Sequence, residues 1–125
     1  MSYNILVVDD SKTVRRMIAK ALEVAGIPLN QVHQAENGRE ALAVLEEEWI
    51  DLVLTDINMP EMDGMELVRA MSEDPTLQGI PVVVISTEGS QERIDELKQR
   101  GIRGYLRKPF TPESIKDLVQ STLVQ

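Results

Sequence analysis

Leu52-Val53-Leu54-Thr55 is a four-residue strand-type run, and an acid, Asp56, stands directly after it. The run is apolar and β-branched without polar alternation, as expected of a strand covered on both faces. The same construction recurs along the chain. Upstream, Asn4–Val8 (NILVV) ends at Asp9 and Asp10. Downstream, Pro81–Ile85 (PVVVI) ends at Ser86, and proline is tolerated at the first residue of a strand. Gly104–Arg107 is a shorter run that ends at Lys108. Gln31–Ala35 is more polar and is expected at a sheet edge, with His33 at the surface.

Helical patterns fill the gaps. Val14, Met17, Ile18, Ala21, Leu22 and Ala25 follow the i, i+3, i+4, i+7 spacing of one helix face. Ser11 is placed to cap that helix, and Gly26 with Pro28 ends it. A second helix runs from Asn37 through Glu48, with Ala41, Leu42 and Leu45 inward. Glu66–Glu73 predicts a short helix on Leu67, Val68 and Met71. Gln91–Arg100 offers only Ile94 and Leu97 to a core. Thr111–Leu123 turns Ile115, Leu118, Val119 and Leu123 to one side, with Pro112 at the first helical position. Met17, Met65 and Met71 fall in helical patterns, so the methionines read as core filler. Five strands alternating with five helices predict an α/β fold, a doubly wound parallel sheet with helices on both faces.

The length of 125 residues fits one domain spanning 1–125, and no linker or repeat is visible. A domain cut from a longer protein is the alternative. Cysteine is absent, which excludes disulfides and thiolate metal sites and is compatible with a cytoplasmic location. No apolar run approaches the roughly 20 residues of a membrane span, and no leader pattern precedes the first strand. The net charge of −8 argues against nucleic acid as a partner, and one Trp, two Tyr and one Phe cannot form a base-stacking platform.

In open α/β sheets, ligands bind beyond the carboxyl ends of the strands, where strand order reverses. In the flavodoxin-like order 2-1-3-4-5 the first and third strands are neighbours at that point. Asp9, Asp10 and Asp56 therefore converge in one crevice. Like charges so close repel one another. A divalent cation relieves the repulsion, and Mg2+ prefers oxygen ligands such as carboxylates and phosphate. Lys108 adds a mobile point charge suited to a phosphoryl oxygen, and Ser86 adds a hydroxyl. Taken singly, each of these residues is ordinary: a cap, a turn residue, a loop hydroxyl or a surface charge. Their placement at the ends of four strands on one edge is what points to phosphoryl chemistry.

The stretches LVVDDS (Leu6–Ser11), LTDINMPEMDG (Leu54–Gly64), PVVVISTEG (Pro81–Gly89) and GYLRKPF (Gly104–Phe110) resemble, in order and spacing, the receiver domains of two-component response regulators. The single-domain chemotaxis type is the most similar. The resemblance implies the flavodoxin-like (βα)5 fold and a switch phosphorylated on Asp56. It implies Mg2+ held by Asp10, by Asp9 mainly through water, by Asp56, and by the backbone carbonyl of Asn58. Ser86 matches the hydroxyl that bonds the phosphoryl group. Lys108, joined to Pro109 by a cis peptide, matches the family lysine, and Tyr105 matches the switch aromatic. Asn58, Thr87 and Glu88 match site-flanking modulators. Thr87 is larger than the usual residue there and is expected to narrow access, while Asn58 with Glu88 implies fairly rapid self-dephosphorylation.

The implied partners are a sensor histidine kinase or histidine phosphotransfer protein and a downstream protein such as a flagellar motor switch component. The partner would be reached through the face of the fourth helix, fifth strand and fifth helix. The implied form is a cytoplasmic monomer, dimerisation on phosphorylation remaining open, without membrane or nucleic-acid binding. It is a switch rather than a turnover enzyme. Two other readings compete. A Mg2+-dependent phosphohydrolase with an aspartate nucleophile would need a D-x-D spacing after the first strand, where this chain has Asp9-Asp10-Ser11. A flavin or nucleotide domain would need a Gly-rich or hydroxyl-rich loop there.

Overall fold

A computed structural model of the chain describes residues 2–87 and 90–123. Its elements run β1 (Tyr3–Val8), α1 (Lys12–Val24), β2 (Leu29–Ala35), α2 (Gly38–Glu47), β3 (Leu52–Thr55), α3 (Gly64–Glu73), β4 (Val82–Ser86), α4 (Gln91–Gln99), β5 (Gly104–Arg107) and α5 (Pro112–Leu123). All strand pairs are parallel, in the order β2-β1-β3-β4-β5. The polar strand β2 lies at an edge, as its sequence requires, and His33 on it is half-buried. Among the described residues, no helix is long and apolar enough to cross a membrane.

Alternation along the central strands divides the core in two. Leu6, Val8, Val53, Val82 and Val84 face one side, where Ala41 and Leu45 of α2, Leu67, Val68 and Met71 of α3, and Leu97 of α4 cover them. Ile5, Val7, Leu52, Leu54, Val83 and Ile85 face the other side, under Ile18 and Leu22 of α1 and Ile115 and Val119 of α5. Strand side chains point alternately to opposite faces. An unbroken apolar run is therefore what a sheet with two covered faces demands, and β1, β3 and β4 supply it.

The helix starts are set by side-chain caps. Ser11 accepts from Val14 N at 3.2 Å, and Asn37 accepts from Glu40 N at 2.9 Å. The third helix begins two residues before the sequence pattern placed it. Asp63 accepts from Glu66 N at 2.9 Å and Glu66 accepts in return from Asp63 N at 3.2 Å, a capping box. At α5, Thr111 and Ser114 exchange the equivalent bonds at 3.1 and 3.0 Å. Proline 81 lies just outside β4, and Ser86 is the last strand residue instead of following the strand.

Met17 departs from expectation. It is 56% exposed, so it does not fill the core. The inner face of α1 is formed by Arg15, Ile18, Ala21 and Leu22, and Met17 lies off that line, beside Phe110 and Pro112. Met71 is buried and Met65 half-buried, as read. Trp49 is 79% exposed before β3, at the end of the sheet opposite the acids, with its indole N–H donating to Asp51.

Gly64 is the tightest point of the backbone near the acids. Its N–H donates to the Ile57 carbonyl at 2.7 Å. A Cβ there would overlap the Asp56 carbonyl oxygen and come within 2.8 Å of Ile57 Cα. These are backbone atoms, which cannot swing aside. Gly64→Ala is therefore expected to cost about 2–3 kcal/mol in urea unfolding. A loss below about 0.5 kcal/mol, the ordinary scale for a surface substitution, would show that the close approach is not rigid.

Candidate phosphoacceptor site

The sheet register brings the acids together. Val8 is opposite Thr55 in the β1–β3 pair, so one residue further each strand delivers an aspartate, Asp9 and Asp56. The Asp56 N–H donates to the Val8 carbonyl at 2.9 Å, carrying the ladder one step beyond β3. Ser86 is opposite Arg107 in the β4–β5 pair, and the next N–H, that of Lys108, donates to the Ser86 carbonyl at 2.9 Å. With Thr55 opposite Val84 and Val84 opposite Tyr105, the β4–β5 pair runs two residues beyond the β1–β3 pair, and Asp9, Asp56, Ser86 and Lys108 all lie at that one edge of the sheet.

Lys108 reaches back across that edge. Its Nζ lies 2.8 Å from Asp9 Oδ2 and 3.0 Å from Asp56 Oδ2. The Lys108–Pro109 peptide is cis. Carboxylate oxygens of Asp9, Asp10 and Asp56 lie within 4.8 Å of one another. The remaining oxygens are held locally: Asp9 Oδ1 accepts from Ser11 N at 2.9 Å, and Asp56 Oδ1 accepts from its neighbour Ile57 N at 2.6 Å. Asp9 and Asp56 are 1% and 9% exposed, whereas Asp10 is exposed.

Three carboxylates against one ammonium leave an excess of negative charge in a partly desolvated cleft. Burial pushes the Asp9 carboxyl above its usual 3.8, and the Asp56 charge adds to the rise. The Lys108 contact and the Ser11 amide oppose it without cancelling it. At Lys108, burial acts to lower the pKa, but the hydrogen bonds and charges of Asp9 and Asp56 outweigh it and hold the ammonium above its usual 10.5. An all-oxygen donor set with excess negative charge fits a hard divalent cation such as magnesium.

Of the other candidate residues, Ser86 is fully buried at the end of β4 and Tyr105 is half-buried on β5. Asn58 is exposed two residues after Asp56. Thr87 is exposed and lines a cleft of about 250 Å³ with Val14, Met17, Lys108, Pro109 and Phe110. Glu88 lies outside the described residues. The loop after β3 is tied to the start of α2: Asn37 Nδ2 donates to Glu61 Oε2 at 3.0 Å, and Gly38 N donates to the Met62 carbonyl at 2.8 Å.

Two features escaped the sequence reading. Lys108 is expected from the sequence to reach the same oxygen cluster, but its direct bonds to Asp9 and Asp56 in particular were not foreseen. Arg15 is 7% exposed and donates from Nη1 to the Asp9 carbonyl oxygen at 2.7 Å. A signal for the second was present, since Arg15, Ile18 and Leu22 share a helix face.

The sequence profile of the response regulator receiver domain matches residues 5–120. The chain belongs to that family. This receiver is 39% identical to the chemotaxis protein CheY-3 of Vibrio cholerae over 113 residues, 90% of this chain and 85% of that protein. It is also 39% identical to the chemotaxis protein CheY1 of Helicobacter pylori over 120 residues, 95% of each chain. Its fold superposes on the crystal structure of Vibrio cholerae CheY4 with a TM-score of 0.88 at 36% identity, covering 98% of this chain and all of that one. Receivers are two-component signalling switches that bind magnesium in an aspartate pocket, and Asp9, Asp10 and Asp56 form such a group here.

The raised Asp9 pKa has a signed consequence for the metal-free protein. The folded state keeps the Asp9 proton to higher pH than the unfolded chain, which releases it near 3.8. Stability tied to Asp9 is therefore fullest below 3.8 and is lost as pH rises through the folded value. In EDTA, Asp9→Asn is expected to gain on wild type in urea unfolding between about pH 4 and pH 7. A gap that stays constant or moves the other way would contradict this electrostatic picture.

Proposed function

We propose that this receiver accepts a phosphoryl group on Asp56 from a phosphohistidine of a sensor kinase or histidine phosphotransfer protein. The observation that carries the reading is the convergence of three carboxylates within 4.8 Å of one another, with Lys108 bonded to two of them. Asp56 Oδ2, which accepts from Lys108 Nζ at 3.0 Å, attacks phosphorus. A P–O bond to Asp56 forms as the P–N bond to the donor imidazole breaks, and the freed imidazole takes up a proton. Lys108 then pairs with the incoming phosphoryl oxygens in place of Asp56, which has become an acyl phosphate and lost its charge. Asp10, Asp56 and the Asn58 carbonyl would hold Mg2+, with Asp9 assisting through water. When bound, the ion neutralises phosphoryl charge.

The readout proposed is a shift of Ser86 toward the phosphoryl group with Tyr105 following it inward. This resets the surface of α4, β5 and α5. The α4 helix suits that part, because Leu97 is its one buried residue among those described. Asn58, Thr87 and Glu88 modulate access and lifetime. The output proposed is chemotaxis or motility, since the relatives named above are chemotaxis proteins. The protein partner is then a flagellar motor switch component or its equivalent, reached by a cytoplasmic protein that turns over no external substrate.

Acetyl phosphate is a test that needs no kinase. With Mg2+, wild type is expected to gain one phosphoryl group by intact mass, releasing acetate. Omission of Mg2+ or the change Asp56→Asn should abolish the gain. Equal labelling of Asp56→Asn would place the nucleophile elsewhere.

A further inference from the structure

Arg15 is a cation almost wholly removed from water on the inner face of α1, where the helix otherwise presents Ile18, Ala21 and Leu22 to the sheet. Burying a guanidinium is costly, and an apolar residue would dock the helix at lower cost. Packing alone therefore does not account for it. The guanidinium makes two directed bonds. Nη1 donates to the Asp9 carbonyl oxygen at 2.7 Å, and Nε donates to Gln34 Oε1 on β2 at 3.0 Å. The first is a short, charge-assisted bond. The second fixes the fork from the far side, so that Nη1 cannot swing away.

What this bond holds is a peptide plane. The Asp9 carbonyl and the Asp10 N–H belong to one rigid unit. The Asp9 side chain does not need the help, because Ser11 N and Lys108 Nζ already hold its two oxygens. The Asp9 N–H donates to the Ala35 carbonyl at 3.1 Å. Asp10 is different: it is exposed, yet its carboxylate has to face those of Asp9 and Asp56. The orientation of the peptide unit before it sets where its Cα and side chain begin.

We infer that Arg15 is a positioning residue for the cation site, braced by Gln34, and that it aims Asp10 by fixing the Asp9–Asp10 peptide plane. The inference rests on the reading above that Asp10 and Asp56 hold the divalent ion. Charge and geometry pull in opposite directions here, which makes the role testable. A purely electrostatic Arg15 would repel the cation, so its removal would tighten binding. An Arg15 that positions Asp10 would weaken binding when lost. Lysine keeps the charge but lacks the planar fork that serves both acceptors at once.

The test is the Mg2+ affinity of Arg15→Lys, Arg15→Met and Gln34→Leu by amide chemical-shift titration at fixed ionic strength, with melting in EDTA as the folding control. Arg15→Lys and Arg15→Met are each expected to bind about tenfold more weakly, in the range seen for lost outer-shell partners of metal sites. Gln34→Leu removes only the brace, at an exposed position of the edge strand, and is expected to lose roughly threefold, part of the same outer-shell effect. Should the Arg15 variants fail to fold, Gln34→Leu decides alone. Unchanged affinity in Gln34→Leu, wild-type affinity in Arg15→Lys, or tighter binding by Arg15→Met overturns the role. If Asp10→Asn binds Mg2+ as tightly as wild type, the cation reading itself falls, and with it any role for Arg15 in that site.

Discussion

The Lys108 ammonium lies between two carboxylates from the other half of the sheet, 2.8 Å from Asp9 and 3.0 Å from Asp56. Without it, Asp9, Asp10 and Asp56 would be three like charges in a cleft that water only partly reaches. With it, the site is tolerable but still short of positive charge. That imbalance is the useful state. It makes the pocket receptive to a divalent ion, and under the proposed acyl phosphate on Asp56 it leaves Lys108 with a second set of oxygens to prefer. A fully neutralised cluster would have no reason to change on phosphorylation.

The rest of the fold serves to bring four strand ends to one edge of the sheet. Parallel pairing sets Val8 beside Thr55 and Ser86 beside Arg107, so that Asp9, Asp56 and Lys108 come directly after their strands while Ser86 is itself the last residue of β4. The two apolar layers hold that register, because a slip of one residue would turn every strand side chain to the wrong face. Around the site, the backbone is pinned at close quarters. Gly64 lets α3 come against the Asp56 peptide, and Asn37 and Gly38 at the start of α2 hold the loop that carries Asn58. Arg15 does the equivalent for the Asp9–Asp10 turn. The carboxylates are thus aimed by main-chain restraints more than by their own contacts.

Most of the architecture was legible because its signals are local. Apolar runs such as LVLT and PVVVI, stripes such as Ile18 and Leu22, and caps such as Ser11 and Asn37 are read within a few residues of themselves. The early start of α3 was equally local, since Asp63 and Glu66 have capping-box spacing, but the apolar pattern of Leu67, Val68 and Met71 drew the boundary two residues late. The edge position of β2 followed from its polarity. Met17 misled because helical spacing alone does not say which flank of a broad stripe meets the sheet. Among the acids, convergence followed from strand order, while the sharing of one lysine did not. Lys108 is separated from Asp9 by 99 residues, and the choice of acceptor depends on side-chain reach in three dimensions. Arg15 shows its inward position by sharing a helix face with Ile18 and Leu22, but its bond to the Asp9 main-chain carbonyl leaves no trace in residue types.

The most direct test of the central claim is crystallographic. Crystals grown with Mn2+ in place of Mg2+ would reveal the ion by its anomalous scattering. The expected result is one strong peak in the cleft, within coordination distance of the Asp10 and Asp56 carboxylates and the Asn58 carbonyl, with Lys108 close to the ion's outer ligands. A peak elsewhere, for example at the Glu46–Glu48 run, or a cleft without a peak at saturating Mn2+, would contradict the claim that these acids are assembled to share one cation.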